Sequence, residues 1–264
     1  MTRTETRRIL NLIVDTSAVR YRELWGFLYP DLTQMERADL GRGMDLVWFG
    51  VPPAARLPLR AYHCGMFFKN GMPMGYIEIL SLFERAEVGF NLYYTFRDGE
   101  SAWLYARLLK FCKQKLGVTC FSIDPYQLGH ENDEAVASGA FWFYRKLGFQ
   151  PASPLTGELL KREEERIAQR PNYRTPSSTL RRLARSPLFY GEPGGWESFS
   201  LRTLGQRIGR GEAWPSILEL VSSEVSLQEI QKAKNGPNEA GYLRLLRRAS
   251  RLKDAILRLG RMRH

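Results

Sequence analysis

The sequence predicts a mixed α/β fold, in which a mostly antiparallel sheet is flanked by helices and followed by a helical, basic C-terminal region. The first observation is Asn70-Gly71, which separates the apolar runs 59–69 and 72–83. Asn-Gly between two apolar runs is the strongest short signal for a β-hairpin, because both turn residues must accept positive φ. The second observation is the order that follows, in which a third strand at 88–96 leads into alternating helical and strand patterns.

Two elements are predicted before the hairpin. Residues 4–22 have the apolar periodicity of an amphipathic helix, and residues 44–49 are typical of a short strand that follows the turn Gly41-Arg42-Gly43. The proline-rich segment 52–58 is predicted to be a stiff connector, because proline fixes φ and removes a backbone donor.

Helices and strands alternate after the third strand. A helix is predicted to begin within 97–102 and to run to about Leu116. Its inward stripe consists of Leu104, Leu108, Phe111 and Cys112. A strand at 118–123 follows, then a helix that contains Tyr144, and a further strand begins at Phe149. This order favours one mixed sheet with helices packed on it.

The second half of the chain is predicted to be helical and basic. We expect helices at 155–170, 176–185, 199–208, 215–221, 226–233 and 238–259, with a loop at 186–198. The last helix has an apolar stripe with heptad-like spacing, formed by Tyr242, Leu245, Ala249, Leu252, Ile256 and Leu259. We therefore divide the chain into a first domain, 1–153, and a helical basic region, 154–264.

The composition favours anionic partners. The 264 residues carry a formal net charge of +11, which suits nucleic acid, an anionic membrane surface or a phosphate-bearing cosubstrate. The three cysteines show no paired spacing and no adjacent histidines, so we expect reduced, buried thiols and no metal site. Because no signal peptide and no transmembrane segment are predicted, we expect a cytoplasmic protein.

One short run resembles a known family. The run consists of Ala140, Tyr144, Leu147, Gly148 and Phe149, at the spacing of the "A…Y.KLGF" signature of the GNAT acyltransferase superfamily. The first three share one helix face, and Gly148 stands where a helix end needs a left-handed residue. The resemblance implies a GNAT-like first domain that takes acetyl-CoA or another acyl-CoA as cosubstrate. It also implies that Tyr144 protonates the leaving thiolate as a general acid.

The start of the helix at 97–102 corresponds to the segment that holds the CoA pyrophosphate in this superfamily. Free backbone N–H groups and the helix dipole attract phosphate at such a position. The family pattern is Gln/Arg-x-x-Gly-x-Gly/Ala. One alignment matches Gly99 and Ser101 but puts Phe96 in the first position, and the other keeps Arg97 and Ala102 but puts Glu100 in place of glycine. The resemblance thus implies cofactor contacts from Arg97, Gly99, Glu100, Ser101 and Ala102, although Asp98 and Glu100 add negative charge there.

Two further parts of the site, a cofactor contact and a general base, are marked less clearly in the sequence. The family often has Asn seven residues before the tyrosine, where this chain has Ala137, so Asn132 is the nearest candidate for a cofactor contact. No motif marks the general base. The candidates are Glu78, Glu87, Asp124 and His130. A base with a pKa near neutrality favours His130, while a solvent-exposed loop histidine is the alternative interpretation.

Three functions stay open on the sequence. The first is a GNAT-like acyltransferase that moves an acyl group from acyl-CoA to an amine acceptor. The second is a non-catalytic module of the same fold that binds nucleic acid or a protein partner through its basic C-terminal half. The third is acyl transfer from aminoacyl-tRNA, which would suit the positive charge but rests on fold analogy. The apolar stripe of the last helix is expected to dock on the core, or to pair with a second copy in a homo-oligomer.

Overall fold

The computed structural model describes residues 1–19, 25–57, 59–97, 99–196, 200–201, 204, 227–236 and 239–261. In these residues eight strands form one sheet in the order β1-β2-β3-β4-β5-β6-β8-β7. The strands are β1 (Glu36–Gly41), β2 (Met44–Gly50), β3 (Ala61–Lys69), β4 (Met72–Leu82), β5 (Arg85–Leu92), β6 (Cys120–Ile123), β7 (Gln150–Pro151) and β8 (Leu188–Tyr190). β5 and β6 run parallel, and the other neighbouring strands are antiparallel. The predicted fold class, a mostly antiparallel mixed sheet with helices, is confirmed.

Helices precede the sheet, connect its later strands and follow it. They are α1 (Arg3–Val19), α2 (Trp25–Leu28), α3 (Ser101–Leu116), α4 (Pro125–Leu128), α5 (Asp133–Ala137), α6 (Ala140–Lys146), α7 (Pro154–Gln169), α8 (Ser177–Leu183), α9 (Leu227–Lys234), α10 (Glu239–Arg247) and α11 (Ser250–Arg261). Parts of the predicted helices 4–22, 199–208, 226–233 and 238–259, and the whole of 215–221, lie outside the described residues.

The predicted hairpin is present. Asn70 and Gly71 have φ values of 49° and 82°, and Lys69 pairs with Met72 across the turn. Both turn residues thus adopt the positive φ that Asn-Gly accepts at low cost. The long strands β3 and β4 that it joins form the middle of the sheet.

The differences from the sequence prediction include two strands and the last helix. β1 was missed because its segment is polar and mostly exposed, as an edge strand can be. β8 lies in the predicted loop 186–198; its three residues are too few for a periodic signal, yet they pair with both β6 and β7. The predicted last helix is broken at Arg248 and Ala249, which separate α10 from α11.

The main core fills the space between α3 and the sheet. The predicted inward residues Leu104, Leu108, Phe111 and Cys112 are all buried there. A second cluster lies under α10 and α11, where Tyr242, Leu246, Ala249, Leu252 and Ile256 pack with Phe83, Phe189 and Trp196. Most of the apolar stripe of these helices is thus buried within the chain. Cys64, Cys112 and Cys120 form no disulfide, and their side chains are buried, as the sequence predicts.

Candidate active site

A cleft opens where β5 and β6 separate. The two strands pair between Arg85 and Cys120 and between Glu87 and Ser122. β5 then continues to Leu92, whereas β6 ends at Ile123 and the chain leaves the sheet through α4. Residues beside this gap line a cleft with a volume of ≈ 690 Å³, which is bounded by β3, β4, β5 and the helices α4 to α6.

Tyr144 is presented to this cleft by the short helix α6. Gly139, with φ of 68°, leads into α6, and Gly148, with φ of 96°, turns the chain toward β7. The Tyr144 ring packs against Phe149, with the two centroids 5.9 Å apart, and its side chain is only 3% exposed. Burial raises the pKa of the Tyr144 hydroxyl, so it stays protonated at neutral pH. It donates a hydrogen bond to Oε1 of Gln127 at 3.4 Å.

The first turn of α3 lies at the same cleft. Arg97 and Ser101 are among the residues that line it. The Arg97 guanidinium donates to the Leu92 carbonyl at 2.9 Å and to Glu134 at 2.8 Å. Gly99 has φ of 68° and open space around its α-carbon. A helix start without a side-chain cap and with an adjacent guanidinium has the features of an anion site, although the Glu134 carboxylate already accepts a hydrogen bond from that guanidinium.

Glu100, which the sequence predicts beside the anion site, is not among the residues that line the cleft. The Glu100 carboxylate forms ion pairs with Lys69 and, at 3.6 Å, with Arg42. The hydrogen bond from Lys69 lowers the pKa of Glu100. Two cations therefore compensate this negative charge. Asp98 lies outside the described residues, and Ala102 occupies the exposed side of the same first turn.

Asn132 lines the cleft, but its side chain already has two bonds within the loop. Its Oδ1 accepts from the backbone N–H of Ala135 at 3.1 Å, so it caps α5, and its Nδ2 donates to the Tyr126 carbonyl at 3.1 Å. The residue predicted as a cofactor contact therefore shapes the wall of the cleft.

The candidate bases separate into two groups. Glu78, Glu87 and Asp124 line the cleft, whereas His130 is exposed in the loop after α4 and does not line it. Glu78 accepts a hydrogen bond from the Tyr62 hydroxyl. Asp124 is engaged as the N-cap of α4, where it accepts from the Tyr126 N–H at 2.9 Å. The placement thus favours the carboxylates over the histidine.

Several residues that line the cleft were not predicted from the sequence, among them Gln127, Arg60 and Glu134. Gln127 contacts β5 as well as Tyr144, and no spacing rule marks a glutamine one turn after a strand. Arg60 is nearly buried, and desolvation lowers its pKa. Such contacts join residues far apart in the sequence, so only the fold reveals them.

The described residues hold neither a metal-ligand cluster nor a helix suited to a bilayer. No group of three or more His, Cys, Asp and Glu side chains is placed there to hold a metal ion. None of the helices in that part of the chain combines the length and apolar content that a bilayer crossing requires. A smaller cavity of ≈ 410 Å³ lies between α7 and β7 and contains none of the predicted site residues.

Comparison with known proteins gives a distant structural similarity. No protein family and no curated protein match the sequence. Two crystal structures of the Campylobacter jejuni N-acetyltransferase PseH align over 50% of this chain and 68% of that chain, at 11% identity. Their TM-scores are 0.31 for the complex with acetyl coenzyme A and 0.30 for the other structure. At this level the similarity carries no conclusion about the activity of this chain.

Proposed function

We propose that the protein is a GNAT-like acyltransferase that moves an acyl group from acyl-CoA to an amine. The observation that carries the proposal is the gap between β5 and β6, with the protonated hydroxyl of Tyr144 at its wall. The start of α3, with Arg97 beside it, borders the same cleft and offers N–H groups to a phosphate. An acyl-CoA lying along the gap would thus have the anion site at the start of α3 near its phosphates and the Tyr144 hydroxyl near its sulfur.

The reaction would proceed by direct attack. The amine nitrogen forms a bond to the thioester carbonyl carbon, and the carbon–sulfur bond then breaks. The thiolate that leaves takes the Tyr144 proton, and the amine loses its proton to a carboxylate of the cleft. A tyrosine with a raised pKa is a weak acid, but thiolate is formed close to it, so position decides the rate.

Glu78 is the base that the geometry favours. In β4 it is paired with Gly89 of β5, which has no side chain to separate it from the gap. A Cβ at position 89 would lie 3.5 Å from both the Glu78 Cβ and Gln127 Nε2, so Glu78 and Gln127 flank the same point. Glu87 lies where β5 and β6 are still paired, and Arg85 donates to it at 3.3 Å.

Calorimetric titration with acetyl-CoA and with free CoA tests the proposal. We expect saturable binding of both by the wild-type chain. Arg97→Glu should weaken binding about tenfold or more, because a charge-assisted bond to phosphate is lost and a second carboxylate joins Glu134. Arg162→Glu is the matched control, because Arg162 is exposed on α7 away from the cleft and the change in net charge is the same. Absence of binding in the folded wild-type chain would refute the proposal.

A second function keeps one observation in its favour. Arg244 and Arg248 of the C-terminal segment are exposed. The apolar face of the same helices is buried against the rest of the chain. Non-catalytic binding of nucleic acid through these cations, or docking of a protein partner, would use this outer face. The homo-oligomer expected from the same helices, and transfer from aminoacyl-tRNA, stay predictions without a contact that favours them.

A further inference from the structure

The edge of β5 that faces the gap is already occupied by a side chain. β5 is paired with β6 only as far as Glu87, so the next residues have no strand partner on that side. The Phe90 N–H donates to Oε1 of Gln127 at 3.2 Å, and Gln127 Nε2 donates to the Val88 carbonyl at 3.4 Å. One side-chain amide thus makes the two bonds that a neighbouring strand would make with its backbone.

Gln127 reaches this edge from a fixed position. It is the third residue of α4, whose start is capped by Asp124. The backbone of α4 is therefore held, while the glutamine side chain has three rotatable bonds and lies half-buried at the cleft. A side chain of this kind can leave the strand edge without any movement of the helix.

The same amide also binds the proposed acid. Oε1 of Gln127 accepts from the Tyr144 hydroxyl at 3.4 Å as well as from Phe90. The hydroxyl proton is thus directed at Gln127. A change in the position of Gln127 would release the strand edge and the hydroxyl together.

We propose that Gln127 is a displaceable substitute for an amide group of the acyl donor. The donor's own amide takes its place on Val88 and Phe90, and the Tyr144 hydroxyl becomes free to serve the sulfur. This inference rests on the proposed function, since the flexible arm of CoA carries two amide groups between its nucleotide and its thiol. An extended ligand that adds to an open strand edge through amide bonds is a known mode of recognition.

The arrangement has a cost in affinity that can be measured. The ligand must replace bonds that the free chain already makes, instead of bonds to water. Removal of the carboxamide should therefore tighten binding of any ligand that uses the edge. We expect Gln127→Ala to lower the Kd for CoA about threefold to tenfold, since one or two net hydrogen bonds are no longer broken.

The experiment compares two probes on three proteins. Wild type, Gln127→Ala and Gln150→Ala are titrated by calorimetry with CoA and with adenosine 3′,5′-bisphosphate, which contains the nucleotide part of CoA but no amide. Gln150 is the matched control, because it is an exposed glutamine outside the cleft. Gln127→Ala should tighten CoA alone, and Gln150→Ala should change neither probe.

The outcomes distinguish the two proposals. If CoA binds wild type and Gln127→Ala leaves its Kd unchanged or weakens it, the role of Gln127 is refuted and the proposed function stands. Equal tightening of both probes would also refute it, because the bisphosphate cannot reach the edge through an amide. If the folded wild-type chain does not bind CoA, the proposed function fails, and this inference fails with it.

Amide hydrogen exchange at Phe90 gives a second measurement, which depends less on affinity. In the free chain exchange should be faster in Gln127→Ala than in wild type, because the N–H loses its acceptor. Addition of CoA should slow it again in both proteins. A Phe90 amide that stays unprotected with CoA bound would contradict the exchange of one amide for another.

Discussion

Tyr144 combines a packing contact with a proposed chemical task in one side chain. Its ring is part of an aromatic cluster with Tyr105 and Phe149, and its hydroxyl reaches the cleft. Tyr105 behind it is fully buried, and its hydroxyl has no hydrogen-bond partner among the described residues. The packing task depends on the ring and the chemical task on the oxygen, so the two can be separated by removing one atom.

Tyr144→Phe should lower kcat about 100-fold, because the leaving thiolate then takes its proton from water. The affinity for CoA should change less than about threefold, since the ring contacts remain. Release of free thiol from acetyl-CoA, followed with a reagent for thiols, measures the rate. Tyr94→Phe is the control, because Tyr94 is 84% exposed. Unchanged turnover in a folded Tyr144→Phe protein would remove Tyr144 from its proposed role.

Sequence motifs predicted which residues line the cleft better than they predicted the hydrogen bonds and ion pairs of those residues. The helix spacing led to Tyr144, and the helix start led to Arg97, both of which line the cleft. The state of Glu100 was not predictable, because its cations, Lys69 and Arg42, belong to other elements. For the same reason His130 was favoured over Glu78: a side chain's usual pKa is known from its type, whereas its distance from the gap depends on the fold.

Helix α10 is attached to the rest of the chain through one arginine as well as through apolar contacts. Arg247 donates to the Phe83 carbonyl at 2.9 Å and 2.7 Å, and to the Leu116 carbonyl at 2.6 Å. Leu116 is the last residue of α3, so the cation also lies at the negative end of that helix. Desolvation lowers the pKa of Arg247, which remains far above neutrality for a guanidinium.

Arg247→Met should lower the free energy of unfolding by about 2 kcal/mol, because two carbonyl groups lose a charged donor while the aliphatic volume is kept. Urea unfolding followed by circular dichroism measures the change. Arg248→Met is the matched control at the next position, where the side chain is exposed, and it should cost less than about 0.5 kcal/mol. Equal losses in the two variants would show that the carbonyl contacts do not stabilise the attachment.

Elements with a local signal were predicted and elements without one were not. Asn70 and Gly71 define the β3–β4 hairpin by themselves, since the turn chemistry is contained in two adjacent residues. β8 depends on β6 and β7 for its formation, and nothing within its three residues marks a strand. The break at Ala249 likewise interrupts an apolar stripe that continues on both sides.

Net charge is a property of the whole molecule, and its sign constrains the second proposed function. The chain carries +11, and part of this charge is used internally, as in the pairs of Lys69 with Glu100 and Lys253 with Glu84. The exposed cations of α10 and of the break that follows it remain available to a polyanion. A nucleic acid held in this way would be bound through its phosphates, without regard to sequence.

If the C-terminal half binds duplex nucleic acid, the logarithm of the affinity should fall linearly with the logarithm of salt concentration. Arg244→Gln combined with Arg248→Gln should reduce that slope by about 1 to 2, as each lost phosphate contact contributes about 0.9. Substitution is preferable to deletion of the helices, because their other face is core. Arg162→Gln on α7 combined with Arg170→Gln, the residue that follows α7, is the control. Fluorescence anisotropy measures binding, and a slope of zero in wild type would exclude this function.

The position of β8 has a practical consequence for anyone who shortens the chain. The strand next to β6 comes from residues 188–190, far beyond the segment that forms β1 to β6. A fragment that stops at residue 153 would leave one side of β6 as a row of open donors and acceptors, beside apolar residues that lose their cover. Such an edge is prone to pair with other molecules. A protein chemist should therefore expect insoluble material from the fragment, even though it includes every residue assigned to catalysis.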